Sequence, residues 1–182
     1  MGLLVVGVLL WAYSHLMKRV TPKFRANLGE SKGRMVAAGL SVLAIVFMVV
    51  GYRSAEIIQI WNPPAMLRHV NNLLMLIAVY LFIVRYSQGV IRTKMRHPML
   101  GAVKVWALAH LLVNGDVASM VLFGGVLAWA VVDMIMINKM QPEWRRPTRG
   151  SVMSDVFFLV PALILMGAIA AVHAHLGYPV FG

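Results

Sequence analysis

Six apolar runs, three of whose connecting segments are rich in lysine and arginine, constrain this chain more than any other feature of its sequence. They cover residues 2–17, 35–51, 70–86, 99–113, 117–137 and 156–176. Inside a bilayer the backbone has no water to bond, so an apolar run of about twenty residues is stable there as a helix that satisfies its own amides and carbonyls. Of the 182 residues, 60% are hydrophobic and only 13% are charged. A soluble domain of this length needs more polar surface. The expected class is therefore all-α: a polytopic membrane protein, a bundle of six transmembrane helices in a single domain over residues 1–182. The fourth run is the exception in length. At 1.5 Å per residue it reaches about 22 Å, short of the hydrocarbon core, so that helix is expected to be tilted, shielded or only partly spanning.

The net charge of +11 is distributed in loops. Lysine and arginine number six between the first two runs, four from Arg85 at the end of the third run to Arg96, and four between the fifth and sixth. Only two lie between the second and third, and none between the fourth and fifth. This asymmetry places the three basic loops in the cytoplasm and both termini on the periplasmic side. No basic face interleaved with aromatics is present, which argues against nucleic acid as a partner. The first run has its charge behind it and no small-residue cleavage site, so it is expected to remain as a helix. There is no cysteine, which excludes disulfides, thiolate metal sites and a cysteine nucleophile. The fourteen methionines are spread without pairing and read as packing.

Polar residues inside the apolar runs carry most of the functional information, because an ionisable group in hydrocarbon is costly unless paired. Trp106, His110 and Asn114 are spaced by four and share one helix face. A histidine there can ligate a metal through one ring nitrogen while the other is fixed by a neighbour. It can equally be a buried histidine bonded to a carbonyl or to another helix, the commoner arrangement. His15 has the same two readings. Arg96-His97-Pro98 opens the fourth helix and could hold a phosphate or carboxylate, with positive-inside anchoring as the simpler explanation. Asp116 is expected to cap the fifth helix. Lys104 is expected to snorkel or pair, and Asp133 to pair with a basic residue of loop 85–96 or 138–155. Gly124-Gly125 allows close approach of a neighbouring helix. His69, His173 and His175 fall on the outer side, where with His110 they could make a metal site, although His173 and His175 point about 200° apart on a helix. Residues 21–33 and 54–69 are expected to be irregular, the latter an interfacial loop around Trp61 and Pro63-Pro64. No Ser-His-Asp set, paired catalytic carboxylates or phosphate loop is present.

The segment RHPML…VKVWALAHLLVNGDVASMVLFGGVLAWAVVD, residues 96–133, closely resembles the signature of the NnrU family of bacterial membrane proteins. Weaker similarity extends to His15, Gly33-Arg34 and Gly51-Tyr52-Arg53. The resemblance implies a multi-pass protein of the bacterial inner membrane linked to nitrite and nitric oxide metabolism in denitrification. The chain is also distantly similar to the plant 15-cis-zeta-carotene isomerase, a membrane enzyme that carries haem b. That pattern matches His97 in the Arg-His-Pro turn, His110 thirteen residues on, and His15. It implies His15 and His110 as axial ligands of haem iron, with Arg96, His97, Trp106 and Asn114 around the cofactor. The implied activity is binding or sensing a small hydrophobic or gaseous ligand, or a redox-gated isomerase-like reaction. The Arg-His-Pro turn also resembles membrane methyltransferases that use S-adenosylmethionine, but Ala102 stands where they carry glycine. That makes methyl transfer the alternative enzymatic expectation. A non-enzymatic accessory or carrier protein, its polar residues only knitting helices together, is the third.

Overall fold

The computed structural model describes residues 1–181, which form helices and, among the described residues, no strand. In chain order these are α1 (Gly2–Val20), α2 (Pro22–Asn27), α3 (Glu30–Arg53), α4 (Leu67–Val84), α5 (Ile91–Lys94), α6 (Pro98–Val113), α7 (Val117–Met140) and α8 (Val152–His175). Five of them, α1, α3, α4, α7 and α8, are long and apolar enough to cross a membrane. Their outward faces are aliphatic, as Val42, Val49, Val160 and Ile164 show, and such surface is stable against lipid rather than water. This is a helical membrane protein. At 16 residues α6 spans about 24 Å, the short helix that the sequence predicts. The helical hydrogen-bond ladder of α8 is interrupted at Phe158, because Pro161 has no amide to donate to the Phe157 carbonyl.

Two compact units divide the chain, one made of Met1–Asn62 and Asn114–Lys139, the other of Pro63–Val113 and the residues from Met140 onward. In the first, α1 and α3 pack antiparallel at a distance set by glycine. A Cβ on Gly7 would stand 2.7 Å from the Met48 amide nitrogen, and one on Gly51 would strike the backbone of Leu4. Further along the seam the Ser14 and Ser41 hydroxyls meet at 2.9 Å.

The segment expected to be irregular over 21–33 is instead largely helical. Pro22 starts α2 with its fixed φ, and α3 begins at Glu30. The buried Arg25 guanidinium joins them by donating to the carbonyls of Gly29 and Glu30. It fills the place that a side chain at Gly33 would take.

Asp116 caps α7 as expected. Its carboxylate accepts from the Ser119 amide at 2.9 Å and the Ser119 hydroxyl at 2.6 Å, and Tyr52 reaches the same hydroxyl. Beside it, the loop around Gln59 pairs with Gly115–Val117: the Ile60 and Trp61 amides donate to the Gly115 carbonyl and the Val117 amide to the Ile58 carbonyl. Asp116→Ala should cost about 1 kcal/mol, the usual worth of an N-cap, and Asp116→Asn less. Thermal unfolding in detergent would show this as a lowered midpoint, with Asn between wild type and Ala.

In the second unit, α4 packs on α6 and α8 through Met75, Val79, Ala109, Ala162 and Met166, with Trp106 and Tyr80 at the margin. Alanines on α6 and α8 let the larger α4 side chains seat closely.

Candidate functional site

Along α1, Val8, Trp11, His15 and Arg19 recur at helical spacing and make one stripe. Gly125, Trp129 and Asp133, each four apart, make the matching stripe on α7. The two stripes meet rung by rung. A Cβ on Gly125 would come within 2.5 Å of Val8, so glycine is what lets the helices close there, while Gly124 faces open space. Just ahead of Gly125, α7 widens into a π-helical turn over Met120–Gly124, a local unwinding often found beside functional positions.

The middle rung holds His15 among aromatic rings. Its centroid lies 4.1 Å from that of Trp11 and 4.8 Å from that of Trp129, and the two indoles meet edge-on at 5.5 Å. His15 Nδ1 is 2.9 Å from the Trp11 carbonyl, with the Ser14 hydroxyl at 3.0 Å. An imidazole whose Nδ1–H donates to a carbonyl carries its lone pair on Nε2, the nitrogen a metal then takes. Both indole Nε1 groups, on Trp11 and Trp129, are buried without a hydrogen-bond partner. Buried donors of this kind are nearly always satisfied, so two beside one histidine suit a group that brings acceptors.

The last rung corrects an expectation. Asp133 pairs with Arg19 at the end of α1, Nη1 to Oδ1 at 2.7 Å, and not with the basic loops 85–96 or 138–155. The α1 and α7 stripes are aligned in parallel, which brings Arg19 level with Asp133. No local sequence signal joins residues so far apart.

His110 belongs to the second unit. Trp106 and His110 share a face of α6, with ring centroids 5.0 Å apart, and His110 Nδ1 lies 2.9 Å from the Trp106 carbonyl. This repeats the His15 arrangement and again assigns the lone pair to Nε2. Asn114 follows the last residue of α6 and lies in the first unit. His97 immediately precedes Pro98 at the start of α6, and the Arg96 guanidinium donates to the Gln141 carbonyl. His173 is bonded to the Ile169 carbonyl at 2.8 Å, and His69 and His175 are exposed. Among the described residues no group of three or more histidine, cysteine, aspartate or glutamate side chains could hold a metal ion, so the outer-side histidine site is not assembled.

Sequence reasoning missed Trp11 and Trp129 as walls around His15; the spacing of Trp11 from His15 was the available signal. It also missed Asp155. That carboxylate is buried and accepts from the Ser87 hydroxyl at 2.7 Å and from the amides of Val90 and Ile91 at 2.6 and 3.0 Å. Its backbone carbonyl takes the Tyr80 hydroxyl at 3.1 Å. With six acidic residues in the chain, one following a serine-rich turn was a visible oddity.

A family model described as NnrU protein matches residues 3–180, nearly the whole chain. No curated protein and no solved structure matches it.

Proposed function

The chain belongs to the NnrU family, and from that premise we propose that it is an inner-membrane haem b protein associated with nitrite and nitric oxide metabolism. In this reading α6 completes six spans, the basic loops face the cytoplasm and both termini face the periplasm, as the charge asymmetry favours. His15 of the first unit and His110 of the second are each proposed as a histidine able to ligate haem iron. The observation that carries the proposal is the setting of His15. Its Nδ1 is fixed by the Trp11 carbonyl, two indoles supply flat apolar walls, and two unpartnered buried N–H donors stand beside it. Those donors and walls fit a planar apolar cofactor that also carries carboxylates. His110, held on the Trp106 carbonyl, has the same orientation of its lone pair. Haem iron, when bound, supplies a one-electron redox change and affinity for nitric oxide. The protein's part is to fix the imidazoles in one tautomer and to keep water from them.

A second reading has its own observation. His173, which the haem reading does not use, makes the same bond to the carbonyl four residues back. On that reading all three histidines only satisfy their own helices, and the protein is a non-enzymatic accessory component.

Visible spectra of the detergent-purified protein, oxidised and then dithionite-reduced, separate the two. The haem reading expects a Soret band with sharp reduced α and β bands, shifted or lost in His15→Ala and in His110→Ala, and unchanged in His173→Ala. A colourless wild-type protein from haem-replete cells favours the accessory reading.

A further inference from the structure

We propose that residues 85–96 and 141–151 of the second unit form one binding surface for anionic phospholipid headgroups. The two segments are far apart in sequence and are held together at three places. Asp155, in the first turn of the helix that follows the second segment, accepts from Ser87, Val90 and Ile91. The Arg96 guanidinium donates to the Gln141 carbonyl. Gly150 lies so close to the Gln88 carbonyl that a Cβ has no room, and the same holds for Gly89 against the Asp155 carboxylate. These contacts gather Arg85, Arg92, Lys94, Arg96, Arg145, Arg146 and Arg149 on one end of the unit.

The charge on this surface is not compensated within the chain. None of the seven cations makes an ion pair among the described residues. Arg92 and Arg96 donate to uncharged oxygens, and Arg85 and Arg146 stack on Tyr86 and Trp144. The two acids nearby are the exposed Glu143 and Asp155, whose carboxylate is spent internally on three donors. Both segments leave the ends of helices built to cross a bilayer, so the cations stand at headgroup level. Trp144 suits that depth, with an apolar ring and a polar edge. A cluster of uncompensated cations held there matches the phosphates of an anionic lipid.

The test is native mass spectrometry of the full-length protein in neutral detergent, offered cardiolipin, phosphatidylglycerol or phosphatidylcholine. The two anionic lipids should be retained in preference to phosphatidylcholine. A triple variant, Arg145→Gln, Arg146→Gln and Arg149→Gln, should lose retention roughly fivefold for each guanidinium removed, from the attraction of about 1 kcal/mol per cation at an anionic surface. These side chains are exposed, so the fold should survive the change. Lys18→Gln, Lys23→Gln and Lys32→Gln together remove the same charge from the first unit and should leave retention unchanged. Equal retention of phosphatidylcholine, an unaffected triple variant or an equal loss in the lysine variant would overturn the proposal. So would displacement of lipid by millimolar inorganic phosphate, which would mark a site for the free anion.

Discussion

Asp155→Ala is expected to be the most destabilising single truncation in the second unit. It leaves the Ser87 hydroxyl and the Val90 and Ile91 amides without their acceptor, in a place that water reaches poorly. A buried donor left unmade costs about 1–3 kcal/mol, so the sum is on the order of 3–5 kcal/mol after Ser87 turns to Ser154, 3.2 Å away. Asp155→Asn keeps one acceptor oxygen and should fall between wild type and Ala. Thermal unfolding in detergent, read with limited proteolysis of residues 85–96, tests both parts. The segment should become cleavable in the Ala variant before the helices melt. A midpoint within a degree or two of wild type would show that the carboxylate is dispensable.

Gly51→Leu is expected to separate α1 from α3. The position faces the Leu4 backbone, which cannot rotate away as a side chain can. The cost should therefore exceed the roughly 1–3 kcal/mol of ordinary overpacking. Gly39 lies on the same helix with open space where its Cβ would be, so Gly39→Leu is the matched control. Membrane yield of a fluorescent fusion and its detergent melting curve should collapse for the first variant and hold for the second. Parallel behaviour of the two would mean that the α1–α3 seam tolerates separation. Small residues serve this purpose in membranes because lipid leaves close van der Waals packing as a main source of helix–helix affinity.

The helices were legible because hydrophobic length is a strong signal. The runs at 2–17 and 35–51 became α1 and α3, α1 reaching on to Val20 and α3 running from Glu30 to Arg53. The Asp116 cap was legible because capping is local: acceptor and amide are three residues apart. Arg19 on Asp133 and Asp155 on Ser87 were not, because each joins segments whose register is fixed only by helix packing. Gly33 shows the limit well. Its place in the resemblance was visible, but its reason, the Arg25 guanidinium where its side chain would be, depends on the tight corner between α2 and α3. Around the candidate site, His15 and His110 could be singled out as polar residues in apolar runs. The indole walls of His15 could not, since Trp129 reaches it from a helix more than a hundred residues away.

The central claim is that this NnrU protein holds haem b through His15 and His110. Pyridine haemochrome quantification against protein concentration tests it most directly, on wild type, His15→Ala, His110→Ala and the double variant, all purified from haem-replete cells. The account predicts stoichiometric haem b in wild type, less in each single variant and none in the double variant. Haem content that is negligible in wild type, or that survives loss of both histidines, would contradict it.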